Sequence, residues 1–255
     1  MKLRVWDRLL LCASLAALVV LSWKYLLVLS GDMATMDMAG MDMPGMHAWG
    51  LSDFFQMSIM WAVMMTGMMV PTALRAILIY ARVAETASAR GRALASVSWF
   101  VVGYVMVWTG FGIGAAALQA GLNFFGLLSP AMASSSASLG AVILIGAGAY
   151  QLTPWKDVCL KHCQSPAAYL VGRVGPRWMD GLRLGLGHGT YCLGCCWVLM
   201  LLLFVGGVMN FIWIAAIAGF VLLEKLLPAR FYLSQAAALI MIGAGISFVI
   251  GWQFA

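Results

Sequence analysis

DGLRLGLGHGTYCLGCCWVLM, residues 180–200, is an apolar stretch that carries three of the six cysteines and one of the three histidines of the chain. Its length and composition predict part of a transmembrane helix. At about 100° per residue, His188, Cys192 and Cys195 fall within roughly 60° of one another on a helix, and Cys196 lies beside them. The stretch therefore predicts a face of thiol and imidazole groups inside the bilayer.

A neighbouring face of the same helix is built from glycine. Gly181, Gly185 and Gly189 repeat every four residues, and this spacing of small residues lets another helix approach closely. Ligand groups beside a close-packing surface predict a metal site between helices, where the metal would cancel the thiolate charge that lipid disfavours. The alternative is packing alone, since a neutral cysteine behaves as a small hydrophobe. Which of the three cysteines would bind stays open, because adjacent side chains point about 100° apart.

The composition predicts an all-α, polytopic transmembrane helical bundle. Of the 255 residues, 64% are hydrophobic and only 9% are charged, whereas soluble domains have about 25% charged residues. The net charge of +6 does not indicate a nucleic-acid partner, because basic residues gather in the cytoplasmic loops of membrane proteins. The cysteines cluster along the chain, which does not fit a secreted disulfide framework.

The apolar segments predict about seven transmembrane helices, with the N-terminus in the cytoplasm. Their expected ranges are 9–29, 53–79, 94–118, 139–152, 180–205, 209–227 and 233–250. This topology places all Lys and Arg residues except Lys24 on the cytoplasmic side. We expect three parts: an N-terminal anchor (1–29), a periplasmic Met-rich loop (30–52) and a six-helix metal-binding membrane core (53–255). A cleaved signal peptide is the alternative for the first helix, but the apolar stretch is long enough to span and no Ala-x-Ala site follows it.

The loop between the first two predicted helices, GDMATMDMAGMDMPGMH at residues 31–47, is rich in sulfur. Its six methionines are Met33, Met36, Met38, Met41, Met43 and Met46. Aspartates and His47 are interleaved with them. Thioethers select Cu(I) among common biological metals, while His and Asp also accept Cu(II). The loop therefore predicts copper capture, with a low-complexity linker as the alternative.

A methionine stripe continues into the second predicted helix. Met57, Met60, Met64 and Met68 follow helical spacing along one face. One interpretation is packing, because Met is a flexible apolar filler. The other is a ladder of sulfur ligands that leads from the loop into the membrane. The sequence does not decide between them.

A second cysteine cluster is predicted at the inner end of the fourth helix. Cys159 and Cys163 are four residues apart and face the same way on a helix, with His162 beside them. The cytosol is reducing, so a disulfide is not expected there. We interpret the cluster as a soft-metal handover site; free surface thiols or a zinc clip are the alternatives. The pair Glu224-Lys225, at the inner end of the sixth predicted helix, is interpreted as a helix cap that marks the inner side, with ion conduction as the alternative.

Several segments together resemble a known family. They are residues 61–71, the LTPWK motif at 152–156 with Cys159 and Cys163, residues 187–200, Met209-Asn210 and Glu224-Lys225. Over about residues 55–250 the chain resembles a bacterial family of predicted metal-binding integral membrane proteins of unknown function, sometimes labelled copper chaperones. The resemblance implies metal binding in a bacterial inner membrane. The family usually has Leu where this chain has Trp155, and the Met-rich loop lies outside the shared core.

These observations predict an integral membrane copper-binding protein. It would capture copper at the Met-rich loop and relay or deliver it through the buried Cys and His site, with Cu(I) the expected ion and zinc an alternative. The expected partners are the lipid bilayer and a copper enzyme or soluble copper chaperone. No nucleotide-binding motif is present, and no enzymatic reaction is assigned. A membrane thiol oxidoreductase, or an assembly subunit beside a copper enzyme, stays open as an alternative.

Overall fold

Helices account for nearly all of the chain that the structure describes. The computed structural model describes residues 5–38, 50–89, 95–129, 132–134, 136–227 and 232–253. Its helices are α1 (Val5–Met38), α2 (Leu51–Ala89), α3 (Val97–Phe124), α4 (Ala137–Gln151), α5 (Pro154–Gln164), α6 (Pro166–Leu170), α7 (Trp178–Leu201), α8 (Leu203–Gly206), α9 (Phe211–Leu226) and α10 (Leu233–Gln253). Within these ranges there is no strand, only an isolated bridge between Leu128 and Ser134. The predicted all-α class is confirmed.

Among the residues that the structure describes, five helical segments are long and apolar enough to cross a membrane. They are Leu9–Gly31, Leu51–Ala87, Val97–Phe124, Trp178–Gly206 and Leu233–Ile250. α4 and α5 form a sixth candidate span if they are taken together, although they are bent by 66°. α9 has 16 residues and so reaches about 24 Å, less than a hydrocarbon core of about 30 Å. The number of seven spans and the cytoplasmic N-terminus stay predictions.

The bend between α4 and α5 is encoded by Thr153 and Pro154. Proline disfavours helical backbone at the residue before it, and Thr153 is extended, with φ −77° and ψ 144°. Its hydroxyl accepts a hydrogen bond from the backbone N–H of Lys156 at 3.4 Å, which caps the new helix, and Pro154 occupies the first turn. The chain therefore turns, and α5 packs along α7 instead of continuing α4.

The close contact between α3 and α7 depends on glycine. A Cβ added at Gly185 would meet the backbone carbonyl of Phe100, and one added at Gly189 would lie 3.0 Å from the Cβ of Val107. Gly103 on α3 meets the backbone of α7 in the same way. The close helix approach predicted from the four-residue glycine spacing is thus present, and α3 is the partner helix.

The core between α2 and α3 contains large aromatic side chains with satisfied polar atoms. Trp61 and Tyr104 are fully buried. The Trp61 indole donates to Oε1 of Gln119 at 2.7 Å, and the Gln119 amide donates to the sulfur of Met132 at 3.0 Å. Trp61 also packs against Phe204 with ring centroids 5.5 Å apart. These bonds therefore join α2 and α3 to the segment that precedes α4.

Candidate metal centre

The cysteine and histidine face of α7 points into the bundle. His188, Cys192, Cys195 and Cys196 are each at most 2% exposed. The thiols of Cys195 and Cys196 both donate to the backbone carbonyl of Cys192, at 3.0 Å each. This face is therefore enclosed by protein, away from the exposed surface of the helix.

The two cysteine clusters that the sequence suggested as separate sites meet in the structure. The sulfur of Cys163 on α5 lies 4.0 Å from the sulfur of Cys195 on α7, and both residues are buried. One ion bound to both sulfurs, with bonds of about 2.3 Å, would have a sulfur–metal–sulfur angle of about 120°. The spacing thus suits a shared soft ion, and the bend at Pro154 is what creates it.

The other two residues of the α5 cluster are placed differently from Cys163. Cys159 is partly exposed and lies against Gly194, where an added Cβ would be 2.8 Å from the Cys159 sulfur. The His162 ring stacks on Tyr191 with centroids 3.7 Å apart, and it meets Tyr169 edge-on at 4.5 Å. Its Nε2 atom is buried without a hydrogen-bond partner. His162 is therefore held in an aromatic group beside the thiols.

The imidazole of His188 has an available nitrogen. The ring lies beside Phe100 and Tyr104, with centroids 5.8 and 5.9 Å away, and its Nδ1 atom is buried with no hydrogen-bond partner. Buried polar atoms in native proteins nearly always have a partner, so this nitrogen is suited to take a ligand atom. Within the described ranges, however, no group of three or more His, Cys, Asp or Glu side chains is already gathered around one point.

A lysine that the sequence analysis assigned to a helix cap contacts the thiol group instead. Lys225 on α9 is 4% exposed, and its ammonium donates to the sulfur of Cys192 at 2.8 Å and to the hydroxyl of Thr72 at 3.1 Å. Tyr104 lies 3.0 Å from the same sulfur and donates to the backbone carbonyl of Met69 at 2.9 Å. Four helices therefore meet around Cys192.

The residue before it, Glu224, is also buried and takes part in an ion pair. Its carboxylate lies 2.5 Å from the ammonium of Lys156 on α5, with both side chains at most 2% exposed. It also accepts from Ser234 at 2.8 Å, while Gln151 contacts Lys156. Gln164 donates to the carbonyl oxygens at the end of α9. These bonds tie α5, which carries Cys163, to α9, which carries Lys225.

The cap interpretation of Glu224-Lys225 is therefore wrong, because both charged groups bond to other helices from the interior.

The methionines fall into two groups. Met57, Met60, Met64 and Met68 are all buried in the core, as are the neighbouring Met65 and Met69. Burial fits packing, and the ladder of sulfur ligands stays a prediction. Met33, Met36, Met38, Met41, Met43, Met46 and His47 lie outside the residues whose side chains the structure describes.

The centre lies inside a region that matches a known family. A family model described as copper chaperone, PpoB2, matches residues 58–248, about three quarters of the chain. The chain belongs to the PpoB2 copper chaperone family. This confirms the resemblance to a copper chaperone-like family, and the matched region includes every cysteine of the centre together with Lys225. α1 and the Met-rich loop lie outside the PpoB2 match. No curated protein and no solved structure matches the chain.

Proposed function

We propose that this PpoB2 family member is a multi-pass protein of a bacterial inner membrane that binds copper and passes it on. Copper is its cargo. The Met-rich loop gathers the ion, the buried thiols hold it as Cu(I), and a copper enzyme or soluble copper chaperone receives it. The family supports a copper-related role, and the apolar helices support association with a membrane.

The sulfur pair of Cys163 and Cys195 carries this proposal. Two buried thiols 4.0 Å apart on different helices can each give up a proton and bind one soft cation between them. Thiolate ligands select Cu(I) over harder ions, whereas zinc sites of the structural kind need four ligands. His188, with an unpartnered nitrogen, and Cys192 and Cys196 on the same helix face supply further donors as the ion enters or leaves.

The route to this pair follows the methionines. Thioethers stay neutral, so a buried stripe of them can offer ligands without placing charge in lipid. The stripe Met57, Met60, Met64 and Met68 begins six residues after the start of α2, close in sequence to the Met-rich loop. Cys159 and His162, on the same helix as Cys163, are the proposed handover ligands.

The experiment is a Cu(I) titration of the purified full-length chain in detergent, against a chromophoric Cu(I) chelator under reductant. Cys163→Ser and Cys195→Ser should each weaken Cu(I) binding by at least about tenfold, since each removes one of two soft ligands. Cys12→Ser is the matched control, because Cys12 is exposed on α1 and lies outside the PpoB2 match. Unchanged Cu(I) affinity in both thiol variants would contradict the proposal.

A membrane thiol oxidoreductase is the second candidate, and the same sulfur pair favours it. Two thiols 4.0 Å apart need only a small approach to form a disulfide, with two electrons and two protons passed to a disulfide oxidant. Mass spectrometry after exposure to oxidised glutathione separates the candidates. A copper carrier keeps both thiols reduced when Cu(I) is bound, whereas an oxidoreductase forms the Cys163–Cys195 disulfide and returns it to thiols with a dithiol reductant.

A further inference from the structure

The ammonium of Lys225 is a positive charge placed inside the thiol group. It lies 2.8 Å from the sulfur of Cys192, and Cys192 is on the helix that carries Cys195. Its other polar partner is the Thr72 hydroxyl. Neither of these two partners is a carboxylate, the group that would offset a buried ammonium by forming an ion pair.

The adjacent carboxylate does not neutralise Lys225, because it is already engaged. Glu224 pairs with Lys156 at 2.5 Å and also accepts from Ser234. Lys156 and Glu224 together sum to zero charge. Among the described residues packed around Cys192, the positive charge of Lys225 is thus available to offset a negative centre formed by the cysteines.

We propose that Lys225 is a specificity-determining residue that matches the site to a monovalent soft cation. The inference deepens the proposed function and rests on it. Binding of Cu(I) by Cys163 and Cys195 forms two metal–sulfur bonds and releases one proton from each thiol, so the centre carries one net negative charge. The ammonium of Lys225 brings the net charge of the ion, the two thiolates and the lysine to zero. A low-dielectric interior favours this neutral state.

A divalent ion bound by the same two thiolates does not balance the charge of Lys225. Zn(II) with two thiolates is neutral, and the charge of Lys225 is then left uncompensated in the interior. An uncompensated buried charge is strongly unfavourable, whereas a paired one is tolerated. Lys225 therefore favours Cu(I) over Zn(II) through charge, in addition to the softness of the sulfur ligands.

The test compares three metals on purified full-length protein: Cu(I) and Ag(I) as monovalent ions and Zn(II) as the divalent ion. Lys225→Met should weaken Cu(I) and Ag(I) binding by at least about tenfold and leave Zn(II) binding within about threefold of the wild type. Lys225→Arg keeps the charge and should stay within about threefold of the wild type for all three ions. Thr72→Val is the matched control, because it removes a hydrogen bond to Lys225 without changing charge.

The outcomes separate charge matching from a structural role. A merely structural role would weaken all three metals together, and that result, or unchanged Cu(I) affinity in Lys225→Met, would overturn the inference. Should Lys225→Met fail to fold, Lys225→Gln is used, since its amide keeps hydrogen-bond donors in the site but carries no charge. If the wild type binds Cu(I) but Lys225→Met keeps the same preference for Cu(I) over Zn(II), the inference fails and the proposed function stands. If the wild type binds no Cu(I), the proposed function itself fails.

Discussion

The sulfur of Cys163 lies 4.0 Å from the sulfur of Cys195, although residues 165–177, which include the short helix α6, separate their two helices along the chain. Cys163 reaches this position because α5 is bent by 66° away from α4 and packs on α7. One local feature, the Thr153-Pro154 break, therefore joins the two cysteine clusters into one centre.

The cap of α5 should be needed to hold this geometry. Thr153→Ala removes the side-chain acceptor for the Lys156 backbone N–H, and loss of an N-cap costs about 1 kcal/mol. We expect a lower thermal unfolding temperature in detergent and faster alkylation of Cys163, which is buried in the wild type. Thr153→Ser keeps the acceptor and should behave like the wild type; equal alkylation rates in all three proteins would show that the cap does not matter.

The buried ion pair should show strong coupling between its partners. Lys156→Met leaves the Glu224 carboxylate unpaired in the interior, which costs about 3–5 kcal/mol for a buried pair. The double variant Lys156→Met with Glu224→Gln removes both charges and should be more stable than Lys156→Met alone. Thermal unfolding of the four proteins of this cycle measures the coupling. Additive losses would indicate that the two charges do not interact.

The contact between α3 and α7 should tolerate no side chain at Gly185. An alanine Cβ there meets the Phe100 carbonyl, so Gly185→Ala should be destabilised by more than about 1 kcal/mol through overpacking. Gly114 on α3 is the matched control, because nothing lies within 4 Å of its added Cβ. Gly114→Ala should be neutral or stabilised by up to about 1 kcal/mol, from its better helix propensity. The account of this interface is contradicted if Gly185→Ala unfolds at the wild-type temperature.

Much of this fold could be predicted from local patterns. The helical class, the inward face of α7 and the close-packing glycines follow from composition and from spacing along one helix. Predicted ends were less accurate: α1 continues to Met38 and α2 to Ala89, beyond the predicted residues 29 and 79. Amphipathic patterns do not mark these ends, because helical propensity continues past the apolar segment.

The tertiary arrangement of the candidate site was not predictable in the same way. Proximity of Cys163 to Cys195 depends on the angle between α4 and α5, which the sequence places only as a break at Pro154. Lys225 was missed because it was judged by its place near a helix end. A useful signal was present: charged residues within an apolar helix usually face the bundle interior and mark functional sites. That rule, applied to Glu224 and Lys225, would have indicated both, whereas Lys156 lay between two predicted helices and gave no such signal.

X-ray absorption at the copper edge, on the full-length protein loaded with Cu(I), tests the thiol pair most directly. We predict a first shell dominated by sulfur in the wild type and in Cys12→Ser. Loss of sulfur from that shell is expected in Cys163→Ser and in Cys195→Ser, because each residue contributes one of the two atoms now 4.0 Å apart. A first shell of nitrogen or oxygen in the wild type, or a sulfur shell that neither serine variant alters, would contradict the account.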